Sequence, residues 1–180
     1  DPGSWQHIAD MVKFTSDNGV RCGLSEIQDR CFNPYDALGT MRNEALLMAL
    51  YEGWQYICYL DADVHPEPDI LLKLLARDLP IVAPLVVEPA TGRKMHGPEQ
   101  QPHTGLQPLK WCVLSMLLFQ TNVFRCFASP ANFWEDAVGA DEGFHFQKLW
   151  EKAHRPVLDT NVQLLVSAKP HYPLASLRFK

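Results

Sequence analysis

Two aspartates one residue apart, Asp61 and Asp63, close an apolar run in the stretch YLDADVHPEPDILLKLL, from Tyr59 to Leu75. Like charges at that spacing repel, and each raises the pKa of the other unless a cation compensates. A hard divalent ion with oxygen ligands is the natural compensator, so the pattern points to Mg²⁺ or Mn²⁺ carrying a diphosphate. If the preceding run is a strand, alternation puts both carboxylates on one side, with Ala62 opposite. The plain alternative is a pair of turn or capping aspartates beside Pro66 and Pro68. His65, two residues beyond Asp63, is a competing ligand candidate.

The surrounding elements decide whether those carboxylates face a ligand. Trp54 to Leu60 is apolar or aromatic apart from Gln55, as expected for a strand covered on both faces in a parallel sheet. Before it, Thr40 and MRNEALLMALYEG read as a helix with Gly53 just past its end, preceded by a turn at Asn33-Pro34. After it, Asp69 is placed to cap a helix through ILLKLLARD, stopped by Leu79-Pro80, and Ile81 to Val87 is the following strand. Upstream, Ser4 to Asp17 predicts a helix with Trp5, Ile8, Met11, Val12 and Phe14 inward, and Val20 to Ile27 a short strand. Glu88 to Leu109 turns polar and is a candidate lid or binding loop, with plain surface loop as the alternative. Trp111 to Phe127 predicts one or two strands. GADEGFHFQKLWEKAH predicts a helix with Phe144, Leu149, Trp150 and Ala153 inward, and PVLDTNVQLLVSA one or two last strands before His171.

Strands alternating with helices predict an α/β fold, a three-layer open and mostly parallel sheet flanked by helices, in one domain over residues 1–180. In such sheets ligands sit beyond the carboxyl ends of the strands, where Asp61 and Asp63 fall. The chain is 47% apolar, enough for a core at 180 residues, and its formal charge of -5 disfavours sequence-independent nucleic-acid binding, which needs a basic surface. Five cysteines without a C-x-x-C pair suggest neither a disulfide framework nor a thiolate zinc site. No apolar run is long enough for a transmembrane segment, and DPGSWQHIAD lacks the basic and apolar regions of a signal peptide, so the expected location is cytoplasmic.

The segment MRNEALLMALYEGWQYICYLDAD and the following LDADVHPEPDILLKLL resemble the glycosyltransferases of the GT-A fold, in particular the broad family-two-like group of bacteria and phages. In that family an Arg-Asn pair opens a helix, a glycine ends it, and a buried strand delivers a D-x-D motif followed by a proline-containing turn and a leucine-rich helix. The resemblance implies transfer of a sugar from a nucleotide-diphosphate donor, a UDP- or GDP-sugar, to a hydroxyl of a carbohydrate or other acceptor, with Mn²⁺ or Mg²⁺. It implies nucleotide contact by Asp61 and metal ligation by Asp63, with Asp61 and His171, after the last strand, as the other members of the metal set, and a nucleotide-binding role for Arg42 and Asn43. It also implies a general base three residues before an inward aromatic, which is Asp141 ahead of Phe144. Ala140 stands where the family has Glu, so Glu142 or the Glu135-Asp136 pair are alternatives, and Asp141 is equally placed to cap its helix. Family members open with a strand leading to a proline-containing nucleotide segment. Here either Val20 to Ile27 replaces it, or it lies upstream of Asp1, or the nucleotide pocket is incomplete.

Other readings share the same residues. DADV satisfies the D-x-D-x-[TV] of haloacid dehalogenase-type phosphohydrolases, although that motif normally sits on an opening strand. A nucleotidyltransferase of the sugar-nucleotide fold normally opens with a glycine-rich loop, for which DPGSW is a poor substitute. A degenerate GT-A domain retained for binding or assembly is the non-enzymatic reading.

Overall fold

In the computed structural model of the chain, which describes residues 2–26, 34–61, 63–92, 94–95, 105–109, 115–128, 134, 142–166 and 174–179, each predicted helix is present with altered ends. Helix α1 (Pro2–Asp17) buries Ile8, Met11 and Thr15, while Phe14, expected inward, is 40% exposed because the inward stripe passes through position 15. Thr15 tolerates burial by donating its hydroxyl to the Met11 carbonyl at 2.8 Å. After a turn at Gly19, where φ is +86°, the chain enters β1 (Cys22–Glu26). Helix α2 (Pro34–Tyr51) starts six residues before the predicted Thr40, with Pro34 in the first turn, where a missing N–H costs nothing.

Strand β2 (Tyr56–Asp61) delivers the aspartates, and β3 (Val64–His65) follows at once. Helix α3 (Ile70–Leu75) is shorter than predicted. Asp69 occupies its N-cap position but makes no capping bond there, and its carboxylate instead pairs with Lys73 at 2.8 Å. Strand β4 (Ile81–Val87) is as expected, and the polar segment after it is partly organised by β5 (Lys94–Met95), paired back onto β4, and β6 (Leu106–Pro108), paired onto a later strand. The predicted strands of Trp111 to Phe127 resolve into β7 (Met116–Gln120) and a 3₁₀ helix (Thr121–Cys126). Helix α4 (Glu142–Glu151) buries Leu149 and half-buries Trp150, whereas Ala153 lies past its end at φ +62° and is exposed. Strand β8 (Val157–Val166) is followed by β9 (Leu174–Phe179), which the sequence did not announce.

The main sheet runs β1-β9-β2-β7-β4-β8-β3, with β5 on β4 and β6 on β8. Among the described residues only the β4–β8 pairing is parallel, and the other seven are antiparallel. The mostly parallel sheet is therefore corrected to a mixed, mostly antiparallel one. The reason is specific: β1, β2, β4 and β8, all predicted strands, point one way, but β9 and β7 run opposite and slip between them. Only residues 167–173 separate β8 from β9, so β9 begins at the edge where β8 ends, its Leu174 opposite Asp61 at the end of β2, and runs back antiparallel to β2 and β1.

Alternation along the central strands feeds two cores. Ile57, Tyr59, Ile81, Ala83, Leu117 and Phe119 meet Met41, Ala45, Leu46 and Ala49 of α2 and Leu149 of α4. Cys58, Leu60, Val82, Val86, Met116 and Leu118 meet Ile8 and Met11 of α1 and Ile70, Leu71 and Leu74 of α3. Helices thus cover both faces. Beside Pro84, which cannot donate to a neighbouring strand, the register with β8 jumps from Asp159 to Gln163. Asp159 is wholly buried there and is held by Arg77 Nε at 2.6 Å and the Asn161 N–H at 3.0 Å. No helix among the described residues is long and apolar enough to cross a membrane.

Burial on the second face pushes the Cys58 thiol up to about 12 from its ordinary 9.0. In the unfolded chain that thiol ionises above its ordinary value while the folded one stays protonated, so its contribution to stability is intact below pH 9.0 and is lost as pH rises toward about 12. Replacing Cys58 by Ala should therefore make the fall of unfolding free energy with pH shallower over that window, by at most about 1.4 kcal/mol per pH unit. Urea titrations at a series of alkaline pH values measure this, and an unchanged slope would contradict it.

Candidate active site at the carboxyl edge of the sheet

Because β1, β2, β4 and β8 share a direction, their carboxyl ends open on one edge of the sheet. Strand β2 reaches that edge from a fully buried interior: Ile57, Cys58, Tyr59 and Leu60 are each 0% exposed, and exposure begins at Asp61. Asp61 still belongs to the sheet, its N–H donating to the Ser115 carbonyl at 3.0 Å and its register partner being Leu174. Asp63 is likewise partly exposed, and one residue later Val64 pairs with Val166. The two aspartates therefore sit where the chain leaves β7 and β9 and passes to β8.

That placement brackets a further predicted ligand. The segment carrying His171 departs from Val166, the partner of Val64, and returns at Leu174, the partner of Asp61. His171 itself lies outside the described residues, as do Asp141, Glu135 and Asp136. Glu142 is the first residue of α4, and its side chain is likewise outside the described part. Among the described residues no group of three or more His, Cys, Asp or Glu gathers to hold a metal ion. The donors present are two hard carboxylates, a number that suits Mg²⁺ or Mn²⁺, which keep several waters and take their other ligands from a bound phosphate.

His65 stands beside this pair. Its ring meets His7 of α1 edge-on at 5.0 Å between centroids. Burial, then the neighbouring His7, hold its imidazole below the ordinary histidine value, against the opposing pull of Asp63. His65 does not gather with Asp61 and Asp63 into a group that could hold a metal ion.

Arg42 and Asn43 lie elsewhere than a phosphate-facing helix start would put them. Both are buried, at 5% and 6% exposure, under Trp134. The Trp134 Nε1–H donates to the Tyr59 hydroxyl at 3.1 Å, and that hydroxyl donates to the Arg42 carbonyl at 3.1 Å. The Trp134 backbone N–H donates to Asn43 Oδ1 at 2.8 Å, and the Arg42 guanidinium lies over the indole, 5.2 Å from its centroid. Nδ2 of Asn43 has no hydrogen-bond partner among the described residues. Tyr59 also packs edge-on against both Trp134 and Phe119, and burial raises its phenol well above the usual range. Sequence reasoning overlooked Tyr59 and Trp134. The available signal was a tyrosine hydroxyl inside an otherwise apolar strand, since a buried hydroxyl needs partners.

Gly39 makes the approach of Trp134 feasible. A Cβ at that position would stand 2.8 Å from the Trp134 carbonyl oxygen, so the helix and the tryptophan segment meet backbone to backbone.

No protein-family model and no curated protein matches the chain. Among solved structures, the one described as "Crystal Structure of A197 from STIV" is similar over 91% of this chain and 89% of that one, with a TM-score of 0.54 and 11% identity. At that identity the likeness concerns the fold alone.

Two substitutions test the Trp134 arrangement. Tyr59→Phe strands a buried indole N–H and a buried carbonyl and should cost about 2 kcal/mol of unfolding free energy. Gly39→Ala, which an isolated helix would favour, should instead destabilise by about 1–3 kcal/mol because backbone must move. Chemical denaturation with near-ultraviolet circular dichroism reads both, and a stabilising Gly39→Ala would refute the close approach.

Proposed function

We propose that the chain is a metal-dependent glycosyltransferase that moves a sugar from a UDP- or GDP-sugar to an acceptor hydroxyl, on a variant of the three-layer GT-A arrangement. The observation that carries this reading is the pair Asp61 and Asp63, partly exposed at the carboxyl end of a fully buried strand and flanked by both ends of the segment bearing His171. The residues that would hold Mn²⁺ or Mg²⁺ are Asp63 and His171, with Asp61 directed to the nucleotide. Bound there, the cation supplies compensation for the charge that builds on the departing diphosphate. Asp141 accepts the proton of the attacking hydroxyl, or Glu142 does so one residue on, from the start of α4. Arg42 and Asn43 act at one remove, by fixing Trp134: Asn43 Oδ1 holds its backbone N–H, the Arg42 guanidinium lies over its ring, and the Arg42 carbonyl holds the Tyr59 hydroxyl to which its indole donates.

One observation favours a second reading. The guanidinium expected to meet phosphate is buried against an indole, and β9 and β1 take up the flank of β2. A GT-A-like domain that binds without catalysing is consistent with both.

Thermal unfolding separates the two. For a transferase, UDP- or GDP-sugars should raise the midpoint in the presence of Mn²⁺ and not in EDTA, by about 2.7 kcal/mol of stability at a hundredfold excess over Kd. Asp63→Asn should abolish that response, read as the difference between midpoints with and without ligand in the same variant. Indifference to every nucleotide sugar would leave the non-catalytic domain, and a response to trifluoroberyllate with none to nucleotides would replace both with a phosphohydrolase.

A further inference from the structure

The opposite edge of the sheet carries a cleft that the aspartates do not reach. It has a volume of about 440 Å³ and is lined by the first residues of β2, the end of β7, the 3₁₀ helix and the turn after α3. Tyr56 and Asp61 are the two ends of one strand, so the cleft lies roughly 17 Å from the carboxyl edge at the usual rise per residue.

Among its polar side chains Tyr56, Asp78 and Gln120 bond to one another, while Gln55, Asn122 and Arg125 take no part in that set. Asp78 holds the left-handed conformation, φ +49°, in the turn after α3, a region that aspartate, like asparagine and glycine, enters more readily than other residues. Its Oδ1 accepts from the Tyr56 hydroxyl at 3.0 Å and from Gln120 Nε2 at 3.1 Å, which fixes the carboxylate and leaves Oδ2 uncommitted among the described residues. Gln55, Asn122 and Arg125 line the same cleft, and among the described residues none of their side chains makes a hydrogen bond or ion pair.

The chemistry selects the ligand. One carboxylate and one guanidinium cancel, so the lining favours neither an anion nor a cation. Two amides, a fixed acceptor and a fork of donors match neighbouring hydroxyls, which both donate and accept, and the half-buried ring of Tyr56 offers an apolar wall. We infer that this cleft is a binding site for a neutral saccharide, separate from the carboxyl edge and independent of the transferase reading. A volume of this order accommodates a small ligand.

The test is amide-resolved NMR of the full chain in EDTA, with glucose, galactose, mannose, N-acetylglucosamine and maltose added in turn to high millimolar concentration, and with glycine and sulfate as charged controls. The expected result is saturable shifts at the amides of Gly53, Gln55 and Asn122 with at least one sugar and none with the controls. Arg125→Met and Asp78→Asn, both at exposed positions, should each weaken that binding at least tenfold, while Asp63→Asn leaves it unchanged. Shifts produced by glycine or sulfate instead, no sugar shifting these amides, or equal binding by Arg125→Met would each overturn the assignment. A loss of sugar binding in Asp63→Asn would move the site to the carboxyl edge and overturn it as well.

Discussion

Strand β2 has no free side. Its two faces are buried in two cores, and its two edges are hydrogen-bonded to β7 and β9. An unpaired charge anywhere between Ile57 and Leu60 would lose its hydration without recompense, so the first position at which a carboxylate is tolerable is the one where the strand emerges. Asp61 is that position. Its backbone stays bonded within the sheet while its side chain is partly open, and a ligand group carried in this way inherits the rigidity of the core. Val64 and His65 then pair the same short stretch with β8, so the backbone carrying the two carboxylates is held by β9 before it and β8 after it, strands whose own connection bears His171.

The polarity of the sheet was legible where the sequence has long apolar runs and illegible where it has short ones. Ile81 to Val87 and Trp54 to Leu60 announce covered strands by their unbroken apolar character, and their common direction follows from the helix between them. LASLRF, by contrast, neither alternates strictly nor stays apolar, and it inserts between β1 and β2 only because the chain turns back after Val166. Direction and adjacency are different properties. The first is local to a strand–helix–strand unit, whereas the second depends on which distant strand fills the gap. The fate of Phe14 has the same root: the helical period was right, but Thr15 could take the inward place by bonding to its own helix.

Arg42 shows the limit of assigning roles by residue type. A guanidinium near a helix start suits an oxyanion, yet burial against Trp134 gives it a planar cation–π partner instead. What made that unreadable is that Trp134 lies 92 positions away in sequence, and only the fold brings its ring onto Arg42, with Tyr59 and Asn43 bonded beside it. Gly39 is the one local clue, since a glycine within a helix is costly unless another backbone must come close. The cluster binds α2, β2 and the tryptophan segment into a single unit, so any shift of Trp134 is felt two residues from Asp61.

The two edges of the sheet differ in how they handle charge, and the difference follows from the strands that end there. At the carboxyl edge Asp61 and Asp63 bring two negative charges onto one short connection, with the neighbouring His65 held toward its neutral form by burial and by His7. At the amino end of β2 the single carboxylate of Asp78 shares its cleft with Arg125 and three amide side chains, so the field is balanced and what remains is hydrogen-bonding capacity. A balanced, partly open cleft gains little from ionic attraction, because solvent screens both partners alike. Selectivity there has to come from the spacing of donors and acceptors, and Tyr56 and Gln120 fix one of them by gripping Asp78 from two sides.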